Sequence, residues 1–401
     1  MTSDIDRVRA WFESAALRPP DANVANTVDL ARALGSLAGA DGIGLGAGAA
    51  GVRQAIGAAE HHVFVLIDGL GMNLIESLPA RSFLRDHVAM ELRAVFPATT
   101  AAALTSLATG LWPAQHAVPA WWTYLPEHGL TATILPFIER FSEQPLGELG
   151  VTSDEAFREP ALMRSFRRDT QSFLPRQIAG SAYTSYVSGG RPVSGYAELR
   201  EAIDGVIERV SGATEPTYSY VYYPSLDALE HAFGPESEQV RAELERVEHE
   251  LARMAEATGG RARMAVSADH GVLEVAQEQK RFIERDDALL DALVVPPHGE
   301  PRVPFFRVRE GAHEAFASQF RERFGKDFAL LSIDAVEELR LFGPEQLSSI
   351  ARGRIGDYIA FTAAPRVLVY GSANDRSGPA VMRGFHGGLT PEEMRIPLIV
   401  A

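Results

Sequence analysis

At 401 residues the chain is too long for one small core and suits one large α/β domain with an inserted or flanking subdomain. A net charge of −15 argues against a protein that coats a nucleic-acid polymer or an anionic membrane. With no cysteine, disulfides and thiolate-held metals are excluded, so any metal must be held by Asp, Glu and His.

Met1 to Asp21 shows no basic stretch followed by an apolar one, and no run reaches the roughly 20 apolar residues of a membrane span. A soluble, cytoplasmic protein is the resulting expectation. Residues 1–60 read as a helical extension packing on the core: a helix from Asp4 to Leu17, then Pro19-Pro20, then small-residue helices and turns from Ala31 to Ala59.

The stretch Val63-Phe-Val-Leu-Ile-Asp68-Gly-Leu-Gly-Met reads as a buried strand of a parallel sheet, with Asp68 emerging at its C-terminal end. Ligands of open α/β sheets bind at that end, although an isolated strand-Asp-Gly also reads as a plain turn. Arg93 to Gly110 reads as strand, proline turn and helix, with Thr99 or Thr100 at the helix start. A threonine there is either an N-cap or a hydroxyl nucleophile held where backbone N–H groups favour a phosphate. The aromatics Trp112, Trp121, Trp122 and Tyr124 either wall a substrate pocket or pack a subdomain.

Gln144 to Arg168 and Ser194 to Val210 read as helices. The strand Thr217 to Tyr223 runs into Pro224, after which Asp227 and His231 stand one helical turn apart, as a metal or base site requires and as a surface pair also would. A long amphipathic helix, Glu236 to Ala257, leads to a further strand that delivers Asp269-His270-Gly271. Residues 272–364 read as a compact α+β insertion, with a strand at Val303 to Val308 and helices at Ala312 to Phe324 and Ile333 to Leu341. The core, 61–271, resumes over 365–401 with the strand Arg366 to Tyr370, the His386-Gly387 turn, a helix start at Thr390-Pro391 and a last strand, Ile396 to Val400.

Together Asp68, Thr100, Asp227, His231, Asp269, His270 and His386 are an oxygen and nitrogen donor set that suits two divalent ions, Zn²⁺ first and Mn²⁺ as the alternative. Two metals about 4 Å apart can clamp an in-line phosphoryl displacement. The ordered segments carry a family resemblance: Phe96-Pro-Ala-Thr-Thr100 with Leu107-Ala-Thr-Gly110-Leu-Trp-Pro113-Ala-Gln-His116, Asp227 to His231 with Gly234-Pro235, Asp269-His270-Gly271 and His386-Gly387. From about residue 62 onward the chain resembles the type I phosphodiesterases/nucleotide pyrophosphatases of the alkaline phosphatase superfamily.

The resemblance implies an alkaline phosphatase-like three-layer α/β sandwich with a mostly parallel central sheet. It implies one metal on Asp68, Thr100, Asp269 and His270, and another on Asp227, His231 and His386. Thr100 matches the family's nucleophile, implying a phosphothreonine intermediate hydrolysed by water on the second metal. A small phosphate ester, with nucleotides as the family's example, is the implied substrate. Two positions depart from the pattern: Ala101 stands where an aromatic stacks on the base, and Trp121 where an asparagine helps bind phosphate. Trp121, Trp122 and Tyr124 are candidates for stacking instead. A phosphomonoesterase, phosphonate hydrolase or phosphomutase on the same metals, and an inactive metal-binding interaction protein, remain alternatives.

Overall fold

The strand His61–Ile67 is buried at every position, so it needs apolar cover on both faces, and that requirement organises the fold. The computed structural model describes residues 3–401, so the expectation placed on Met1 lies outside the described residues. The main sheet has the order Val88–Arg93, Arg395–Val400, Ala262–Ser267, His61–Ile67, Thr217–Tyr223, Asp169–Pro175 and Val193–Tyr196. His61–Ile67 pairs parallel with both neighbours, and Asp169–Pro175 with both of its own. The final strand, Arg395–Val400, is antiparallel to both sides.

Strand alternation separates the two cover layers. Tyr218, Tyr220 and Tyr222 share one face and look across a cavity at the helices Thr27–Leu37 and Thr100–Thr109. Tyr223, on the other face, donates its hydroxyl proton to Glu243 of the helix Glu238–Thr258. That helix buries Val240, Leu244, Val247, Leu251 and Met254 along one stripe, the spacing an amphipathic cover helix requires. The result is the mostly parallel, three-layer α/β architecture expected. Among the described residues no helix is long and apolar enough to cross a membrane.

A second, antiparallel sheet has the order Ala329–Ser332, Tyr358–Phe361, Pro304–Phe306, His298–Gly299, Trp122–Leu125, Leu130–Thr133 and Ile138–Glu139. It departs from the division expected at 272 and 364, because three of its strands come from 122–139. Other pairings cross the same boundaries: Leu273–Glu274 with Gly384–Phe385, and Lys280–Ile283 with Val367–Tyr370. The physical reason is edge pairing: the two-residue strand His298–Gly299 has open hydrogen-bonding groups that Trp122 satisfies from another part of the chain.

Gln144 to Arg168 also differs from expectation, forming only the short turns Leu146–Leu149, Ser153–Ala156 and Leu162–Ser165. Gly147, Gly150 and Pro160 interrupt it before a long helix can propagate. The N-terminal part forms Asp4–Glu13, Thr27–Leu37 and Ala47–Ile56, close to the expected helices.

Candidate active site

Three adjacent parallel strands, Ala262–Ser267, His61–Ile67 and Thr217–Tyr223, end side by side, and each C-terminal end delivers ionisable side chains. Asp68 follows the middle strand, Asp269 and His270 follow one neighbour, and the helix Ser225–Phe233 after the other carries Asp227 and His231. Close approach here requires glycine: Gly69 has φ +79°, and a Cβ on it would lie 2.3 Å from a Glu230 carboxylate oxygen. A Cβ on Gly271 would lie 2.1 Å from the Glu392 carbonyl oxygen.

Asp68, Asp269 and His270 form one buried group whose donor atoms lie within 4.8 Å of one another. His270 Nε2 lies 3.2 Å from Asp269 Oδ2 and 3.6 Å from Asp68 Oδ1. Asp269 Oδ1 accepts the Gly69 and His270 backbone N–H groups at 3.2 and 3.0 Å, and Asp68 Oδ2 accepts the Tyr222 hydroxyl at 2.5 Å. The remaining oxygens, Asp68 Oδ1 and Asp269 Oδ2, are buried with no hydrogen-bond partner. Burial, then the charges of Asp269 and Asp227, push Asp68 well above the usual carboxylate range.

Asp227, His231 and His386 form a second such group. His231 Nε2 lies 3.2 Å from both Asp227 Oδ2 and His386 Nε2. His231 Nδ1 is 2.8 Å from the Gly384 carbonyl oxygen, and His386 Nδ1 is 3.0 Å from that of Ala98. Carbonyl oxygens only accept, so each Nδ1 carries a proton and each Nε2 faces inward. Burial opposes charging His231, but the Asp227 carboxylate outweighs it and raises His231 to about 9, so a cation bound there would displace its Nε2 proton. His270 is held alike, its Nδ1 3.3 Å from the Gly271 oxygen. The rings of His270 and His386 stack at 3.7 Å, which sets the two groups side by side. Converging Nε2 atoms and unpartnered carboxylate oxygens fit divalent cations, which would satisfy both.

Thr100 is the first residue of the helix Thr100–Thr109, which ends at Gly110 in the left-handed conformation. Its Oγ1 lies 3.2 Å from His270 Nε2, within the first group. Thr99, not Thr100, occupies the N-cap position, and its hydroxyl is not used as a cap; it donates at 2.6 Å to Glu300. Thr100, and not Thr99, thus presents its hydroxyl to the first donor group.

All seven ligand and nucleophile candidates gather in one place. The aromatic trio does not: Trp121 lines the cavity beside Thr100, but Trp122 lies under the Arg140 guanidinium at 3.8 Å, and Tyr124 is buried 5.8 Å from the His298 ring. Strand alternation in Trp122–Leu125 turns them into the second sheet. His116 is structural, fully buried with Ser106 Oγ at its Nε2 and the Val118 N–H donating to its Nδ1.

Several charged residues that local spacing does not reveal surround the site. Glu230 is buried with both oxygens unpartnered, and burial followed by the Asp227 and Asp269 charges raises it well above the ordinary range. Glu300, from the region 272–364, accepts the Thr99 hydroxyl and, at 2.7 Å, the Trp121 N–H. Arg302 and Glu393, both wholly buried, pair through two 2.9 Å hydrogen bonds. Glu393 also accepts the Gly388 and Thr390 N–H groups, fastening the turn that carries His386. The Thr390-to-Glu393 capping-box spacing was the one local signal for part of this.

The type I phosphodiesterase/nucleotide pyrophosphatase family model matches residues 62–389. Among solved structures, murine ectonucleotide pyrophosphatase/phosphodiesterase 5 is similar at 16% identity with TM-score 0.63, covering 84% of this chain and 87% of that one. An inactive threonine-to-alanine variant of the murine protein in complex with AMP is similar at 15% identity with TM-score 0.63, covering 84% and 86%. The human protein also gives TM-score 0.63 at 15% identity, covering 84% and 87%. At these identities the structures show the fold alone. Comparison with curated proteins gave no match.

Proposed function

The chain belongs to the type I phosphodiesterase/nucleotide pyrophosphatase family of ester-bond hydrolases, and from that premise we propose that it is a two-metal phosphodiesterase acting through Thr100. The observation that carries this is the Thr100 hydroxyl, at a helix N-terminus and 3.2 Å from His270 Nε2 beside both donor groups. Asp68, Asp269, His270 and Thr100 would hold one ion, and Asp227, His231 and His386 the other. Bound there, Zn²⁺, with Mn²⁺ as the alternative, would supply Lewis-acid stabilisation and favour the ionised form of a hydroxyl.

The chain's own residues do the rest. Thr100 Oγ1 attacks phosphorus, the bond to the leaving alcohol breaks as that alcohol takes up the hydroxyl proton, and a phosphodiester of Thr100 that keeps the other ester group forms. Water then cleaves the new ester, releasing a phosphomonoester and restoring the hydroxyl. The first N–H groups of the helix Thr100–Thr109 lack intrahelical partners and receive the phosphoryl oxygens as negative charge grows on them. Carbonyl contacts at each histidine Nδ1 keep the three Nε2 atoms aimed inward throughout.

A diester suits the site better than a monoester, whose second charge needs further positive groups. Among residues lining the cavity beside Thr100 there is no Lys or Arg. Arg191 is committed to the Met163 and Phe166 carbonyls, and Arg383 to Glu274. The experiment is hydrolysis of a chromogenic phosphodiester beside the matching monoester, with Zn²⁺ or Mn²⁺, by wild type and Thr100→Ala. Faster diester turnover that falls at least about a thousandfold in Thr100→Ala is expected. Retained turnover in that variant would refute the nucleophile, and a monoester preference would refute the diester assignment.

A further inference from the structure

Trp122 has no part in the two donor groups, yet it carries a charged partner. The Arg140 guanidinium lies 3.8 Å from the Trp122 ring centre, 5.0 Å from that of Phe141 and 5.8 Å from that of Tyr370. The rings come from the strands Trp122–Leu125 and Val367–Tyr370 and from the turn after Ile138–Glu139, and Phe141 is 53% exposed, so the cluster stands at a surface. A guanidinium held on aromatic faces keeps its N–H donors for other partners. Arg140 Nη1 donates to the Pro297 carbonyl at 2.6 Å. Among the described residues Nε and Nη2 meet no acceptor, no carboxylate pairs with the guanidinium, and neither nitrogen is sealed from solvent. This side-on fork is an unpaired bidentate donor, matched to a carboxylate or a phosphate. Burial pushes Arg140 down to about 9, as it does for a charge with no counter-ion at hand.

Glu300 ties this fork to the reacting centre. Pro297 precedes it by three residues, at most ~10 Å of chain, and Glu300 accepts the hydroxyl of Thr99, next to the nucleophile. A Cβ on Gly387 would lie 3.0 Å from Glu300 Cβ, so Glu300 rests on the turn that carries His386. The charges of His231 and Arg140 both act on the Glu300 carboxyl. Arg140 therefore lies out beyond the second donor group. Thr100 belongs with the first group, and in an in-line displacement the leaving alcohol departs on the side away from Oγ1. We propose that Arg140, cradled by Trp122, Phe141 and Tyr370, binds an oxyanion carried by the leaving alcohol. The favoured substrates are then phosphodiesters whose leaving alcohol bears a carboxylate or phosphate on the order of 10 Å from the scissile phosphorus. The proposal rests on the phosphodiesterase reading of Thr100 and adds the class of leaving group. A side-on pair of charge-assisted hydrogen bonds raises affinity roughly ten- to hundredfold. The three rings hold the guanidinium in place, so little ordering remains to oppose binding.

The test compares the methyl phosphodiesters of 4-methylumbelliferone and umbelliferone-4-acetic acid, two fluorescent leaving groups that share the phenol and differ in a carboxylate across the ring system. The expected kcat/KM is at least about tenfold higher for the acetic acid ester, chiefly through KM. In Arg140→Met, which keeps an unbranched stem over Trp122 without the charge, that ratio falls to about one. Arg140→Lys keeps the charge but not the fork, and its ratio falls between the two. A wild-type ratio of one or below, or a ratio that Arg140→Met leaves unchanged, would overturn the proposal. Fluorescence titration of wild type and Arg140→Met with the two free phenols decides it without turnover. Binding at least about tenfold tighter for umbelliferone-4-acetic acid, lost in Arg140→Met, supports the subsite even if no ester is hydrolysed, and equal affinities in wild type refute it.

Discussion

The two donor groups differ in how they are held. Asp68, Asp269 and His270 sit at strand ends fixed by the main sheet, with side chains 3%, 0% and 0% exposed. Asp227, His231 and His386 come from a helix and a distant turn, and are 14%, 23% and 9% exposed. The first group is preorganised and carries the cost of confining like charges in the core. The second is assembled across the chain, through the Gly384 and Ala98 carbonyls and the Arg302–Glu393 pair. One group is therefore sensitive to its own charges, the other to its anchors.

Asp269→Asn breaks the first group at its charge and is expected to have the largest effect. The amide oxygen keeps the contacts to the Gly69 and His270 N–H groups, while a charge repelling Asp68 disappears. Turnover is expected to fall at least about a thousandfold, while the melting temperature of the metal-free protein rises by about 1–3 °C. Steady-state kinetics and calorimetry in chelator check both; a lower melting temperature would show that the charges are not in conflict.

Arg302→Met tests the second group through its anchor. Removing one partner of a buried pair costs about 3–5 kcal/mol of stability. Freeing the His386 turn is expected to weaken ion affinity at Asp227/His231/His386 about 10–100-fold while leaving the other group within about threefold. Denaturant unfolding with competitive metal titration measures these, and equal weakening at both groups would contradict separate anchoring.

Glu300 sharpens the contrast from the second sheet. Burial raises its carboxyl to about 7, with the Thr99 and Trp121 hydrogen bonds opposing. Its folded value exceeds its unfolded one, so the stability tied to the protonated form is present below the ordinary glutamate range and lost as pH rises through about 7. Glu300→Gln keeps an acceptor for Thr99 and Trp121 without the charge. In chelator its stability gain over wild type is expected to grow from near zero below pH 4.5 to about 2–3 kcal/mol at pH 8. A gain independent of pH would locate the effect elsewhere.

The same division explains what could be read from the sequence. Asp68 and Asp269-His270 were legible because a buried apolar strand ending in a carboxylate and glycine is a local pattern. Asp227 and His231 were legible from one helical turn, and His386 from its place in an ordered motif series. Glu300 and Arg302 were not, because their partners Thr99 and Glu393 lie far away in the chain and no local period records the contact. Trp122 and Tyr124 show the converse: aromatic density was visible, but the side each ring takes depends on pairing with Leu130–Thr133. The mixed origin of the second sheet stayed hidden for the same reason.

The most direct measurement is the Zn²⁺ stoichiometry of wild type, Asp269→Asn and His386→Ala, by calorimetric titration after chelator treatment and dialysis. The two-group account predicts two equivalents for wild type and one tight equivalent for each variant, lost from a different group in each. Saturation of wild type at a single equivalent, or loss of both ions in either variant, would contradict it.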